Sequence, residues 1–140
     1  MLRAVLDANV YVSAALHPGG PPGQIVERFL RQAAFRIVLS PAIAEEVLRA
    51  LAYPKVKRLI QSATPAAIWL EDIALLADLT AGTLVLPRLC ADPDDDKYVA
   101  AAIEGNAPFV VTGDKELLSV AEHDGVQIVT PRAFLGLLDL

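Results

Sequence analysis

The stretch LCADPDDDKYVAAAI, residues 89 to 103, places four aspartates within five positions, directly before an apolar segment with helical character. One or two acidic residues at the start of a helix are ordinary, because they satisfy free backbone N–H groups and interact favourably with the helix dipole. Four exceed that need. Clustered carboxylates are the oxygen ligands that hard divalent cations take, so each surplus aspartate is a candidate ligand.

Capping explains part of this cluster. Asp92 precedes a proline and is typical of an N-cap, and Asp95, three residues later, can reach back to the backbone N–H of the cap. On a helical wheel Asp94 points to solvent beside Lys97, whereas Asp96 lies on the buried side. A buried unpaired carboxylate costs several times the roughly 0.3–1 kcal/mol of a helix dipole interaction. Because Lys97 points away, we expect Asp96 to bind a divalent cation.

Further acids follow predicted strands and a predicted helix. Asp7 closes the apolar run AVLD, and Asp114 closes FVVTGD. The carboxyl ends of parallel strands share one edge of the sheet, where ligands bind. The alternative for each is an N-cap. In SPAIAEEVLRAL both Glu45 and Glu46 flank the apolar face, and the helical wheel does not separate them.

The elements that position these acids alternate between strand and helix patterns. Apolar runs predict five strands, in RAVL, FRIVLS, GTLVLP, PFVV and VQIVT. Ser40–Pro41 and Thr64–Pro65 are typical helix starts, HPGGPPG is predicted as a loop, and KELLSVAEHD as a short helix. This alternation predicts an α/β fold in three layers, with a mainly parallel central sheet of about five strands flanked by helices.

Length and composition set limits on the class of protein. The chain of 140 residues is expected to form a single domain, residues 1–140, and its 54% hydrophobic content is globular. It has neither a long apolar span nor a signal-peptide pattern, and its one cysteine cannot form an internal disulfide, so a cytoplasmic protein without membrane association is expected. The net charge of −5 argues against a generic nucleic-acid coat.

Four segments in order, VLDANVYVSA, SPAIAEEVLRAL, DPDDDKYVAAAIEGNAPFVVTGDKELL and VQIVTPRAFL, resemble the PIN-domain family. The branch they resemble most is the VapC-like ribonuclease toxins of bacterial type II toxin–antitoxin modules. The resemblance covers nearly the whole chain and implies a three-layer, Rossmann-like fold. It also implies Mg²⁺- or Mn²⁺-dependent hydrolysis of RNA that leaves a 5′-phosphate, a cognate antitoxin protein, and a homodimer or higher homo-oligomer.

The resemblance also implies which residues form the site. The four metal-binding, catalytic acids are Asp7, Glu46 (in preference to Glu45), Asp96 and Asp114. Five residues are expected beside them as groups that orient the ligands: Asn9, Ser13, Thr112, Asp92 and Asp95. Geometry alone does not separate Asp95 from Asp96. For the RNA backbone, the basic cluster in YPKVKR is the first candidate: Lys55, Lys57 and Arg58.

Two other functions fit parts of the pattern. A receiver-like phosphoacceptor signalling domain also has an α/β fold and an acidic Mg²⁺ pocket, but it expects an acceptor aspartate after its third strand, and TLVLPRL supplies none. A PIN-like binding module without catalysis would use the acids only as helix caps. Metal titration distinguishes such a module from an enzyme.

Overall fold

The computed structural model describes residues 1–140. The six strands are β1 (Arg3–Leu6), β2 (Arg36–Leu39), β3 (Asp78–Leu79), β4 (Phe109–Val111), β5 (Glu122–His123) and β6 (Val126–Val129). The eight helices are α1 (Ala8–Leu16), α2 (Pro21–Gln32), α3 (Pro41–Ala52), α4 (Pro54–Leu59), α5 (Ala66–Leu76), α6 (Asp96–Glu104), α7 (Lys115–Leu118) and α8 (Pro131–Leu138). A single 3-10 turn, Pro93–Asp95, precedes α6.

The strands form one sheet in the order β3-β2-β1-β4-β6-β5. Every neighbouring pair is parallel except β5 and β6. The predicted α/β fold with a mainly parallel sheet flanked by helices is therefore confirmed, with six strands rather than about five. Strand β1 lies at the centre because its apolar residues Ala4, Val5 and Leu6 are almost completely buried.

One hydrophobic core surrounds the sheet. It joins 31 buried residues from both halves of the chain, which places α8 in the same core as β1. At one end Phe134 of α8 packs edge-on against Phe35, with ring centroids 5.0 Å apart. No helix in the chain combines the length and the apolar character that a membrane crossing requires.

Of the two helix starts predicted at Ser–Pro and Thr–Pro pairs, one has the expected cap. Ser40 caps α3 by accepting a hydrogen bond from the N–H of Ile43 at 3.3 Å. Thr64 does not cap α5, which begins at Ala66 without a side-chain cap. The predicted loop HPGGPPG is too long, because α2 already begins at Pro21, where a missing N–H costs nothing.

The strand predicted in GTLVLP is wrong. Only Asp78–Leu79 pairs with β2, and residues 80–92 form an extended connector that runs beside α6. The carboxylate of Glu104 accepts hydrogen bonds from the N–H groups of Gly82, Thr83 and Leu84 at 2.6, 3.1 and 2.9 Å. These N–H groups are therefore not free for a strand ladder.

The helix predicted in KELLSVAEHD is also too long. Helix α7 ends at Leu118, and Ala121 adopts a positive φ of 62° that a helix cannot continue. Glu122–His123 then form a short antiparallel strand with β6, closed by a turn in which Asp124 and Gly125 have φ of 53° and 81°.

Candidate functional site

The strand-end acids lie at the carboxyl ends of the two central strands. Strand β1 is flanked by β2 and β4, so the chain leaves β1 toward one side of the sheet and returns on the other. In open α/β sheets this reversal creates a crevice where ligands bind. The N–H of Asp7 donates to the carbonyl of Val111 at 3.0 Å, which fixes the end of β1 against the end of β4.

Asp7 is buried, with 5% of its surface exposed, and both of its carboxylate oxygens accept hydrogen bonds. Oδ1 accepts from the N–H of Asn9 at 3.2 Å, so Asp7 caps α1. Oδ2 accepts from the hydroxyl of Thr112 at 2.6 Å. The same hydroxyl oxygen accepts from the N–H of Asp114 at 3.0 Å. Thr112 therefore links the two strand-end acids.

Asp114 is half-buried and caps the short helix α7 through the N–H of Glu116 at 3.1 Å. Its single cap bond leaves the other carboxylate oxygen without a hydrogen bond. Asp7 and Asp114 thus each cap a helix and also lie at the shared edge of the sheet.

Glu46, on α3, is fully engaged by two neighbouring residues of α6. Its Oε2 lies 2.6 Å from the ammonium nitrogen of Lys97, and its Oε1 accepts a hydrogen bond from the hydroxyl of Tyr98. Burial favours a raised pKa, but these two hydrogen bonds and the charges of Lys97 and Arg49 outweigh it and lower the pKa of Glu46. Lys97 therefore points into the site, contrary to the helical-wheel expectation. Glu45 is exposed.

The aspartates of the DPDDDK motif have partly different roles from those predicted. Asp92 caps the 3-10 turn by accepting from the N–H of Asp94 at 3.0 Å, as expected. Asp95 does not reach back to the cap and makes no hydrogen bond with its side chain. Burial and the carboxylates of Asp114, Asp92 and Asp7 raise the pKa of Asp95 to about 6. The strand-end acids Asp7 and Asp114 thus contribute to the shift at Asp95.

Asp96 has the structural partners that the sequence did not reveal. Its carboxylate accepts hydrogen bonds from the N–H groups of Cys90, at 2.7 Å, and Leu89, at 3.2 Å. Burial alone would raise its pKa, but the bonds from the Cys90 thiol and these N–H groups, with the charge of Arg88, lower it. The premise that Asp96 needs a cation because it has no partner is wrong.

The other predicted residues differ in their placement. Asn9 is exposed, and Ser13 is half-buried without a hydrogen bond from its hydroxyl. Lys55, Lys57 and Arg58 are exposed on α4, and none of them forms an ion pair. Tyr98 contacts Glu46 although it was not predicted, because a tyrosine within an apolar helix carries no signal beyond core packing.

A comparison with known protein families identifies the family of the chain. The family model described as PIN domain matches residues 3–116. The chain belongs to the PIN-domain family. PIN domains are generally nucleases and typically use divalent metal ions.

Two similar proteins extend the comparison of this PIN domain. The uncharacterized protein MJ1680 of Methanocaldococcus jannaschii is 26% identical over 150 residues, covering 96% of this chain and 90% of that protein. The crystal structure of PAE2754 from Pyrobaculum aerophilum has a TM-score of 0.59 at 19% identity, covering 99% of this chain and 90% of that one. The structural likeness supports the fold.

The acids of this PIN domain suit a hard cation by their chemistry. Asp7, Asp95 and Asp114 offer only carboxylate oxygens, the ligands that Mg²⁺ and Mn²⁺ prefer. Burial and nearby carboxylates raise the pKa of Cys90 to about 12, so its thiol stays protonated and does not compete as a thiolate ligand. As the side chains stand, no three acidic, histidine or cysteine groups are close enough to hold an ion. Binding therefore requires the carboxylates to move closer together.

Proposed function

We propose that this PIN domain is a Mg²⁺- or Mn²⁺-dependent endoribonuclease, and that it is the toxin of a type II toxin–antitoxin module. The observation that carries the nuclease proposal is the convergence of Asp7, Asp95 and Asp114 at one edge of the sheet. Three separate segments of the chain supply these acids, and the contribution of Asp114 and Asp7, after that of burial, to the raised pKa of Asp95 supports their proximity. Membership in a family of nucleases supports the same conclusion.

Asp7, Asp95 and Asp114 are the proposed metal ligands. These residues would hold a divalent ion, which would supply activation of a water molecule and stabilisation of the attacking and leaving oxygens at phosphorus. Thr112 and the N–H of Asn9 hold the carboxylate of Asp7 in one orientation. Hydrolysis would break the P–O3′ bond, leaving a 5′-phosphate and a 3′-hydroxyl.

The resemblance to PIN domains implies ligand roles for Glu46 and Asp96 as well. Both carboxylates are engaged by other groups, Glu46 by α6 and Asp96 by the connector. We therefore propose Asp95 as the ligand contributed by the DPDDDK motif. Asp96 would shape the loop that carries Asp95, and Glu46 would act beside the ion.

Exposed apolar side chains support the proposal of a homodimer. Ile68, Leu75 and Leu76 of α5 and Leu79 of β3 are 49%, 76%, 58% and 69% exposed, which is unusual for a row of large aliphatic residues. Sedimentation should then show a dimer that Leu75→Glu with Leu76→Glu converts to monomer. A wild-type monomer at micromolar concentration would exclude this interface.

A groove between α1, α2 and the start of α5 supports the antitoxin proposal. It has a volume of about 320 Å³ and is lined mainly by apolar side chains, among them Ala14, Val26, Leu30 and Trp69. Such a groove suits the apolar face of a peptide helix.

The cations Lys55, Lys57 and Arg58 are exposed on α4. They are proposed to contact the RNA backbone.

The central experiment measures cleavage of a structured and a single-stranded RNA with Mn²⁺ or with EDTA. Wild type should cut only with metal, and Asp7→Asn, Asp95→Asn and Asp114→Asn should each abolish cleavage and weaken Mn²⁺ binding. Asp124→Asn is the matched control, because Asp124 is exposed at the β5–β6 turn, where asparagine tolerates the positive φ. Cleavage that survives all three site variants would refute the proposed centre.

The same experiment distinguishes a nuclease from a non-catalytic binding module. A non-catalytic binding module would show no cleavage and no Mn²⁺ binding that depends on Asp7. A receiver-like phosphoacceptor has lost its support, because the segment GTLVLP that would carry its acceptor aspartate is not a strand.

A further inference from the structure

Two consecutive residues of α6 hold the carboxylate of Glu46 from two sides. The ammonium nitrogen of Lys97 lies 2.6 Å from Oε2, and the hydroxyl of Tyr98 donates to Oε1. The Tyr98 oxygen in turn accepts a hydrogen bond from the N–H of Ala8 at 3.3 Å, directly after Asp7. A continuous chain of contacts thus connects the first turn of α1 to the Lys97 ammonium.

This chain of contacts fixes Lys97 more firmly than a surface ion pair. Tyr98 is 1% exposed, so its hydroxyl is a rigid anchor for Glu46. The side chains of Lys97 and Glu46 are only 19% and 28% exposed. Most lysines on a protein surface sample many rotamers, whereas a group held in this way is already in position for a ligand.

The ammonium group still has hydrogen-bonding capacity. It carries three donors, and Glu46 accepts one of them. Asp94, the other acid nearby, lies 3.6 Å away, beyond hydrogen-bonding distance, and is 80% exposed. Lys97 can therefore accept a further anionic partner without losing Glu46.

Lys97 lies beside the proposed metal centre. It is two residues from Asp95, and Glu46 and Tyr98 link its ammonium group to the N–H of Ala8, directly after Asp7. An RNA phosphate entering this edge of the sheet meets Asp7, Asp95, Asp114 and Glu46, all of which repel it. A cation held beside these carboxylates offsets their repulsion of an incoming phosphate.

We propose that Lys97 binds a non-bridging phosphate oxygen of the RNA at the cleavage site, with Glu46 and Tyr98 as positioning residues. The inference rests on the proposed ribonuclease function. It gives Glu46 a role other than metal ligation, namely holding the ammonium group in place.

The test is equilibrium binding of a short, fluorescein-labelled single-stranded RNA, with Ca²⁺ replacing Mn²⁺ to suppress cleavage. Lys97→Met removes the charge and keeps the length of the side chain, and Lys97→Arg keeps the charge. Arg36→Met is the matched control, because Arg36 also loses an ion pair, with Asp78, but lies at the start of β2 on the opposite edge. Mn²⁺ affinity and thermal unfolding are measured for each variant.

Lys97→Met should weaken RNA binding roughly tenfold, the effect of losing one charge-assisted hydrogen bond. The slope of log affinity against log salt concentration should fall by about 0.7, which corresponds to one phosphate contact on a single strand. Mn²⁺ affinity should not fall, and Lys97→Arg should restore most of the RNA affinity. Arg36→Met should leave both the affinity and the slope unchanged.

Three results would overturn the inference. An unchanged affinity and salt slope in Lys97→Met would make Lys97 only a counter-ion of Glu46. A parallel loss of Mn²⁺ affinity would assign it to the metal site instead. Wild-type protein that binds Mn²⁺ but neither binds nor cuts RNA would refute the proposed function itself, and the phosphate contact with it.

Discussion

The hydroxyl of Thr112 donates a 2.6 Å hydrogen bond to Oδ2 of Asp7 across 105 residues of sequence. Both residues are buried, and they end the two adjacent central strands. Thr112 accepts a second bond from the N–H of Asp114, so one hydroxyl sets the relative positions of two proposed ligands.

Thr112→Val should weaken Mn²⁺ binding about 10- to 100-fold, since it removes the group that orients Asp7 and keeps the shape of the side chain. Isothermal titration measures this effect. Thr112→Ser retains the hydroxyl and should bind Mn²⁺ nearly as well as wild type. Equal affinities for the valine and serine variants would show that the hydroxyl does not orient the ligand.

Asp95→Asn and Asp96→Asn should change the metal-free protein in opposite directions. The pKa of Asp95 rises from its ordinary 3.8 to about 6 on folding, so its ionisation removes stability as pH increases from about 4 to 6. Asp95→Asn should therefore raise the melting temperature at pH 7.5 and have no such effect near pH 3.5.

The pKa of Asp96 is lower in the folded protein than in the unfolded chain. Its ionised carboxylate therefore stabilises the fold at pH values above the ordinary pKa of aspartate. That stabilisation disappears as the pH falls through the pKa of the folded protein. Asp96→Asn should lower the melting temperature at pH 7.5, because an amide cannot accept from both N–H groups of the connector equally. Thermal unfolding at two pH values measures both variants. A destabilised Asp95→Asn protein would contradict the assignment.

Glu104→Gln should loosen the first part of the connector without changing the sheet. The lowered pKa of Glu104 follows from the N–H groups of Gly82 and Leu84, with smaller contributions from Thr83. Hydrogen exchange at these three amides should accelerate in the variant, while amides of β1 keep their protection. Unchanged exchange at residues 82–84 would show that the carboxylate does not hold them.

Gly23→Ala should destabilise the protein by about 1–3 kcal/mol, the usual cost of overpacking. A Cβ at residue 23 would lie 2.1 Å from the carbonyl oxygen of Pro18, so the turn into α2 would have to shift. Gly19→Ala is the matched control, because a Cβ there meets no atom within 4 Å. Equal urea midpoints for the two variants would contradict this account.

The sequence predicted the parallel strands well because their apolar runs are buried on both faces, as in β1 and β4. It failed at GTLVLP, where the decisive partner, Glu104, lies about twenty residues further along the chain. Local propensity carries no information about such a partner. The same holds for Asp96, whose bonds to the connector depend on how that connector folds back.

The prediction that Asp95 reaches back to the N-cap of the helix was wrong for a simpler reason. The helical wheel assumed an α-helix from Pro93 onward, but residues 93–95 form a 3-10 turn and α6 begins at Asp96. A 3-10 turn advances about 120° per residue instead of 100°, so every side chain near the start is rotated from its expected direction.

The hold of Glu104 on the connector also bears on solubility. The segment TLVLP is apolar and rich in β-formers, and it leaves β3, an edge strand of only two residues. With the amides of Thr83 and Leu84 bound by a carboxylate, the start of this segment is not free to extend the sheet or to pair with the same segment of another chain. A single glutamate thus withholds the first amides of an apolar segment from edge-to-edge pairing.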